Sequence, residues 1–97
     1  MPGRLDTKVL TLLIQYCGGW GYGRSSRALK DYLTQEFKEL IAVTEQSDRG
    51  ITGNFDVTIV NTNTLIHSKK QMGQGKCESM AERQAIVTKI KQALEAV

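Results

Sequence analysis

The chain is poor in the residues from which most reactive sites are built. Its 97 residues include one histidine, one tryptophan, one proline and two cysteines. The cysteines, Cys17 and Cys77, stand 60 positions apart, too isolated for the disulfide framework of a small secreted domain. His67 has no cysteine or histidine close to it in sequence, so no metal-ligand spacing is present and no metal or cofactor is expected. No apolar run approaches the roughly eighteen residues of a membrane span. The N-terminus lacks a secretory pattern, because Asp6 and Lys8 interrupt the approach to the first apolar run. A cytoplasmic location is the default expectation. The net charge is only +3, with basic residues interspersed among acids rather than gathered in a stripe with aromatic partners. No nucleic-acid partner and no membrane partner are expected.

What is present suits one small soluble domain. Apolar residues make up 40% of the chain, enough for a single modest core over residues 1–97, with 1–7 as a loose terminus. The stretch Tyr16-Cys17-Gly18-Gly19-Trp20-Gly21-Tyr22 stands out. It follows the apolar run Val9 to Ile14 and precedes a segment of helical spacing. A strand that ends in a glycine-rich turn feeding a helix presents whatever side chain the turn carries, and here that is a thiol.

Lys8 to Gln15 is expected as a central strand, apolar on both faces and covered by helices. Ser25 or Ser26 is expected to cap the helix after the turn. Leu29, Tyr32, Leu33 and Phe37 form its apolar face, and it ends near Lys38. Leu40 to Thr44 reads as a second strand, parallel to the first through a right-handed crossover. After the polar loop Glu45 to Gly53, with Asp48-Arg49-Gly50, the alternation of Phe55, Val57 and Ile59 marks a third strand. Asn61-Thr62-Asn63 turns the chain into a fourth, Thr64 to Ser68. His67 is expected to face solvent there. Ser79-Met80-Ala81-Glu82 fits a capping box, with Ile86, Val87, Ile90, Ala93, Leu94 and Val97 as the stripe of the last helix. The order β-α-β-β-β-α gives two helices over one mixed sheet. With the third strand antiparallel to the first, strands one and four end at the same sheet edge. The loop of Cys17 and Trp20 then lies near the loop of Lys69, Lys70, Gly73, Gly75 and Cys77, where α/β sheets tend to bind ligands.

This outline, with a cysteine in the first strand-to-helix turn, resembles the thioredoxin-like fold and, within it, the selenoprotein W family. That family carries Tyr-Cys-Gly-x-Sec-Gly-Tyr, matched by Tyr16 to Tyr22 except at Trp20. Thr52-Gly53-Asn54-Phe55-Asp56-Val57 is similar to its Thr-Gly-x-Phe-Glu-Val. Ile66-His67-Ser68-Lys69-Lys70 is similar to its Val-His-Ser-Lys-Lys, and Ile86 to Lys91 resembles its last helix. The resemblance runs from about Val9 to the C-terminus. It implies a four-stranded thioredoxin-like sandwich and thiol–disulfide exchange, with an antioxidant role. Glutathione or protein thiols and disulfides are the implied partners, glutathione as co-substrate. It implies Cys17 as nucleophile and Gly18, Gly19, Thr52 and Gly53 at the substrate.

Trp20 occupies the selenocysteine position. Selenocysteine is encoded by UGA, one base from the tryptophan codon UGG, so Trp20 stands for a recoded or cloned selenocysteine in one reading. In the other, the lineage has lost the selenol and the tryptophan is genuine. As written, the chain has only Cys77 as a second thiol, and otherwise runs a monothiol cycle resolved by an external thiol. Glycine-turn and helix N-terminal N–H groups, with Arg24 and Arg27, would favour the Cys17 thiolate. The plainer reading makes Cys17 an inert strand-end cysteine and Cys77 a loop residue without a redox role. A third makes the Cys17–Tyr22 loop, with Trp20, a docking surface for a partner protein.

Overall fold

A computed structural model describes residues 10–96. The expected loose terminus, together with Lys8, Val9 and Val97, lies outside the described residues. The elements are β1 (Leu10–Tyr16), α1 (Tyr22–Phe37), β2 (Ile41–Ser47), β3 (Phe55–Ile59), β4 (Thr64–Ser68) and α2 (Met80–Ala96), with a short 3-10 turn at Lys38–Leu40. The sheet order is β2-β1-β3-β4. β1 pairs parallel to β2 and antiparallel to β3, and β3 pairs antiparallel to β4. This is the expected thioredoxin-like α+β arrangement, a four-stranded mixed sheet with two helices. The ends of β1, β2 and β4 and the start of β3 therefore share one edge, and three loops converge there.

One face of the sheet carries the core. Leu10, Leu12 and Ile14 of β1 are buried with Val57 and Phe55 of β3, Leu29, Leu33 and Phe37 of α1, and Ile86 and Ile90 of α2. The alternate residues Thr11, Leu13 and Gln15 are only half-buried. The expectation that β1 is covered on both faces is thus corrected. An apolar run does not distinguish one-sided from two-sided cover, and Thr11 and Gln15 already make its outer face polar.

Two further expectations change. α1 begins at Tyr22, directly from Gly21, whose φ of 89° lies in the left-handed region that glycine adopts without penalty. Ser25 and Ser26 therefore sit within the helix rather than at its cap. Both are buried: Ser25 Oγ donates to Glu78 Oε2 (2.7 Å) and Ser26 Oγ to Glu45 Oε2 (2.6 Å). His67 is also buried, at 1% exposure. Val57 pairs with His67 but Thr58 pairs with Leu65, so Ile66 is an extra residue in β4. That bulge turns Ile66 and His67 both inward, which simple alternation does not anticipate. Phe55 packs edge-on against the imidazole, ring planes at 87°.

Candidate functional site

The convergent edge is built around Cys17. The Cys17 N–H donates to Asn54 O (2.8 Å), the Gly18 N–H to Gly50 O (2.9 Å) and the Asp48 N–H to Tyr16 O (2.7 Å). These bonds lay the loop after β2 against the turn after β1. The approach is close enough to require Gly18: a Cβ there would stand 2.6 Å from Asp48 O and 2.7 Å from Gly50 O, both backbone atoms. The Asp48 carboxylate holds the loop from within. It accepts from Gln15 Nε2 (2.9 Å), Thr52 Oγ1 (2.6 Å) and Asn54 Nδ2 (2.9 Å), and these bonds keep its pKa below the usual carboxylate value. Lys70 Nζ, from the loop after β4, donates to Thr52 O (3.2 Å).

The outcome is a ring of donors around one sulfur. Burial pushes the Cys17 thiol up, but the N–H groups of Gly53, Gly19 and Thr52 outweigh it, and the net shift is downward. The Gly19 N–H lies 3.2 Å from Sγ. Cys17 exposes no surface, yet it lies outside the continuous apolar core. Its cover is thin. A Cβ on Gly19 would sit 3.2 Å from Sγ and 3.7 Å from the Ile51 side chain, and Ile51 is itself 86% exposed. Trp20 projects into solvent at 91% exposure, with the Arg24 guanidinium 6.0 Å from its ring centroid.

Cys17, Gly19, Thr52 and Gly53 thus meet at one sulfur, Gly18 provides the close approach, and Trp20 borders them. The loop after β4 also reaches this edge, since Lys76 Nζ lies 4.7 Å from the Tyr22 ring centroid. Cys77 faces elsewhere. Its side chain belongs to the core, and burial, with the nearby Glu82 carboxylate, pushes its thiol up to about 12 against a smaller lowering by Arg83. The capping box is half as expected: the Glu82 N–H donates to Ser79 Oγ (3.2 Å). The Glu82 carboxylate, however, reaches past Ser79 to the N–H groups of Gly75 (2.7 Å) and Cys77 (3.1 Å). His67 Nε2 meets Gly75 O at 2.8 Å. One ligand-type atom from each of His67, Cys77 and Glu82 falls within 4.8 Å of the others.

Sequence reasoning missed Asp48 as the organiser of the site. Its partners lie 33, 4 and 6 residues away and share no periodic pattern. The polar loop Asp48-Arg49-Gly50 was the only signal of it.

The profile of the Rdx family matches residues 11–92. A selenoprotein W from Danio rerio is 36% identical over 81 residues, covering 84% of this chain and 91% of the relative. The chain belongs to the Rdx family, the selenoprotein W group, and this membership points to a thioredoxin-like redox function. Among the described residues no helix is long and apolar enough to cross a membrane.

Proposed function

We propose that this Rdx-family chain carries out thiol–disulfide exchange through Cys17. The observation that carries the reading is the set of N–H donors from Gly19, Thr52 and Gly53 that lowers the Cys17 pKa despite burial. The Cys17 thiolate attacks one sulfur of a disulfide, forming a mixed disulfide and releasing the other half as a thiolate. A second thiolate then attacks the mixed disulfide, restores Cys17 and leaves as part of a new disulfide. Trp20 has no sulfur or selenium to supply that second step. Cys77 is a poor candidate for it, since its thiol stays protonated to about pH 12. Glutathione, as an external thiol, fits the role. Because the sulfur is covered, the Gly19 and Ile51 segments part as the disulfide enters.

Position 20 is natively the selenocysteine position in this reading, so the tryptophan form is impaired in the resolving step. Two experiments test the proposal. Reduction of bis(2-hydroxyethyl) disulfide by glutathione should depend on Cys17 and be lost in Cys17→Ser while persisting in Cys77→Ser. Equal turnover in wild type and Cys17→Ser would refute it. Intact mass of the protein from its native source, read with codon 20, should show a selenium isotope pattern and UGA. A tryptophan mass with UGG makes Trp20 genuine.

The exposure of Trp20 and Ile51 favours a second reading, in which the Cys17–Tyr22 loop docks a partner protein without catalysis. An unreactive Cys17, combined with loss of a defined partner contact on Trp20→Ala, would select it.

A further inference from the structure

We propose that His67, Cys77 and Glu82 form a binding site for a divalent transition-metal ion of the zinc type, independent of the redox reading of Cys17. The three come from three elements: β4, the loop that follows it and the first turn of α2. Their ligand atoms lie within 4.8 Å of one another. Two of the three side chains are almost wholly buried, His67 at 1% and Cys77 at 0% exposure. The Cys77 sulfur accepts and donates no hydrogen bond among the described residues, although the other polar groups around it are paired.

The surroundings are those that orient metal ligands. Gly75 O is only an acceptor, so His67 Nε2 carries the proton, and Nδ1, which then holds the lone pair, is the nitrogen the proposal assigns to the metal. A second ring nitrogen tied to a backbone carbonyl is the usual outer-shell partner of a ligating histidine. Phe55 fixes the ring plane. The Glu82 oxygens each accept one N–H and each retain a lone pair.

Charge supports a dication. A thiolate, a carboxylate and a neutral imidazole balance a 2+ ion, so the occupied site buries no net charge. Arg83 faces the same region, but its Nε is held on Cys77 O (2.8 Å) and its guanidinium lies 5.3 Å from the Tyr32 ring centroid. Sulfur with imidazole and carboxylate is a donor set of zinc-type ions rather than of magnesium or calcium. A tetrahedral zinc with bonds of about 2.0–2.3 Å has edges of about 3.3–3.8 Å, so occupation draws in Glu82, the least buried of the three. Solvent supplies the fourth ligand on the Glu82 side. As the metal–sulfur bond forms, the Cys77 proton passes to solvent and no atom changes oxidation state. The ion would then clamp β4, the loop carrying Lys76 and α2 together.

The test uses the full chain with Cys17→Ser, which leaves Cys77 as the one thiol, and Co2+ as the probe. One equivalent of Co2+ should produce thiolate-to-metal charge-transfer absorption with tetrahedral visible bands. Zn2+ should displace it one for one with a rise in Tm. Adding Glu82→Gln, which keeps an acceptor oxygen for one of the two loop N–H groups, should weaken the apparent affinity at least about tenfold. A folded Cys17→Ser protein that shows no charge-transfer band, or the same affinity with Glu82→Gln, overturns the site.

Discussion

The two cysteines make a controlled comparison within one small domain. Both expose no surface, yet one thiol is shifted down and the other up to about 12. Burial acts on both in the same direction, because it disfavours the charged form. The difference lies in what faces the sulfur. Cys17 sits beneath two loops whose N–H groups point at it, whereas Cys77 sits in the apolar core beside a carboxylate. Reactivity at the convergent edge is therefore a property of backbone placement, and the groups that set that placement are the ones to perturb.

The largest contrast is in labelling rate. A thiol at about 12 carries at least about a thousandfold less thiolate at pH 7 than one at the ordinary value near 8.5. Iodoacetamide in timed pulses, with peptide masses read for each cysteine, should therefore modify Cys17 and leave Cys77 untouched in the folded protein. Comparable rates would erase the distinction between the two sites.

Gly18→Ala should weaken the Cys17 side directly. The added methyl meets the backbone oxygens of Asp48 and Gly50, which are not the ends of flexible side chains and yield only if the loop moves. Urea unfolding should show a loss of about 1–3 kcal/mol, the usual cost of overpacking, and the Cys17 pKa should rise as Thr52 and Gly53 withdraw. Unchanged stability would mean that the loop is not in close contact.

Asp48→Asn probes the same loop through pH. The Asp48 pKa is lowered in the folded state, so its carboxylate stabilises the fold fully above the unfolded value near 3.8 and loses that effect as pH falls through the depressed folded value. Tm measured from roughly pH 5 to pH 2 should fall less steeply in Asp48→Asn than in wild type. Parallel curves would remove Asp48 from the account. The smallest effect belongs to Gly19→Ala. Its methyl would stand 3.2 Å from Cys17 Sγ and thicken the cover without touching the loop backbone. Alkylation of Cys17 should slow several-fold with little change in stability.

Much of the fold was legible. The alternation Phe55-Val57-Ile59, the stripe Leu29-Leu33-Phe37 and the start signal at Ser79 are local patterns, and local forces place those elements. The meeting of the loops at one edge followed from strand directions alone. What escaped depended on register or on distant partners. The Ile66 bulge reversed the facing of His67, and a bulge is not a feature of alternation. Ser25 and Ser26 looked like caps, but the left-handed Gly21 starts the helix earlier and leaves their hydroxyls to pair with Glu78 and Glu45. The Glu82 capping signal correctly placed the start of α2, while its carboxylate serves Gly75 and Cys77 instead. At the site, the Cys17 turn and the Thr52-Gly53 segment were visible through family resemblance. The role of Asp48 was not, because its partners come together only when β1 and the loop after β2 are paired.

The central claim is that backbone donors, and not exposure, make Cys17 acidic. The pH dependence of its alkylation rate, followed by the mass of the Cys17 peptide in wild type and Gly18→Ala, tests this most directly. The account predicts a midpoint below the ordinary thiol value in wild type and a rise toward that value in Gly18→Ala. A wild-type midpoint at or above the ordinary value would contradict it.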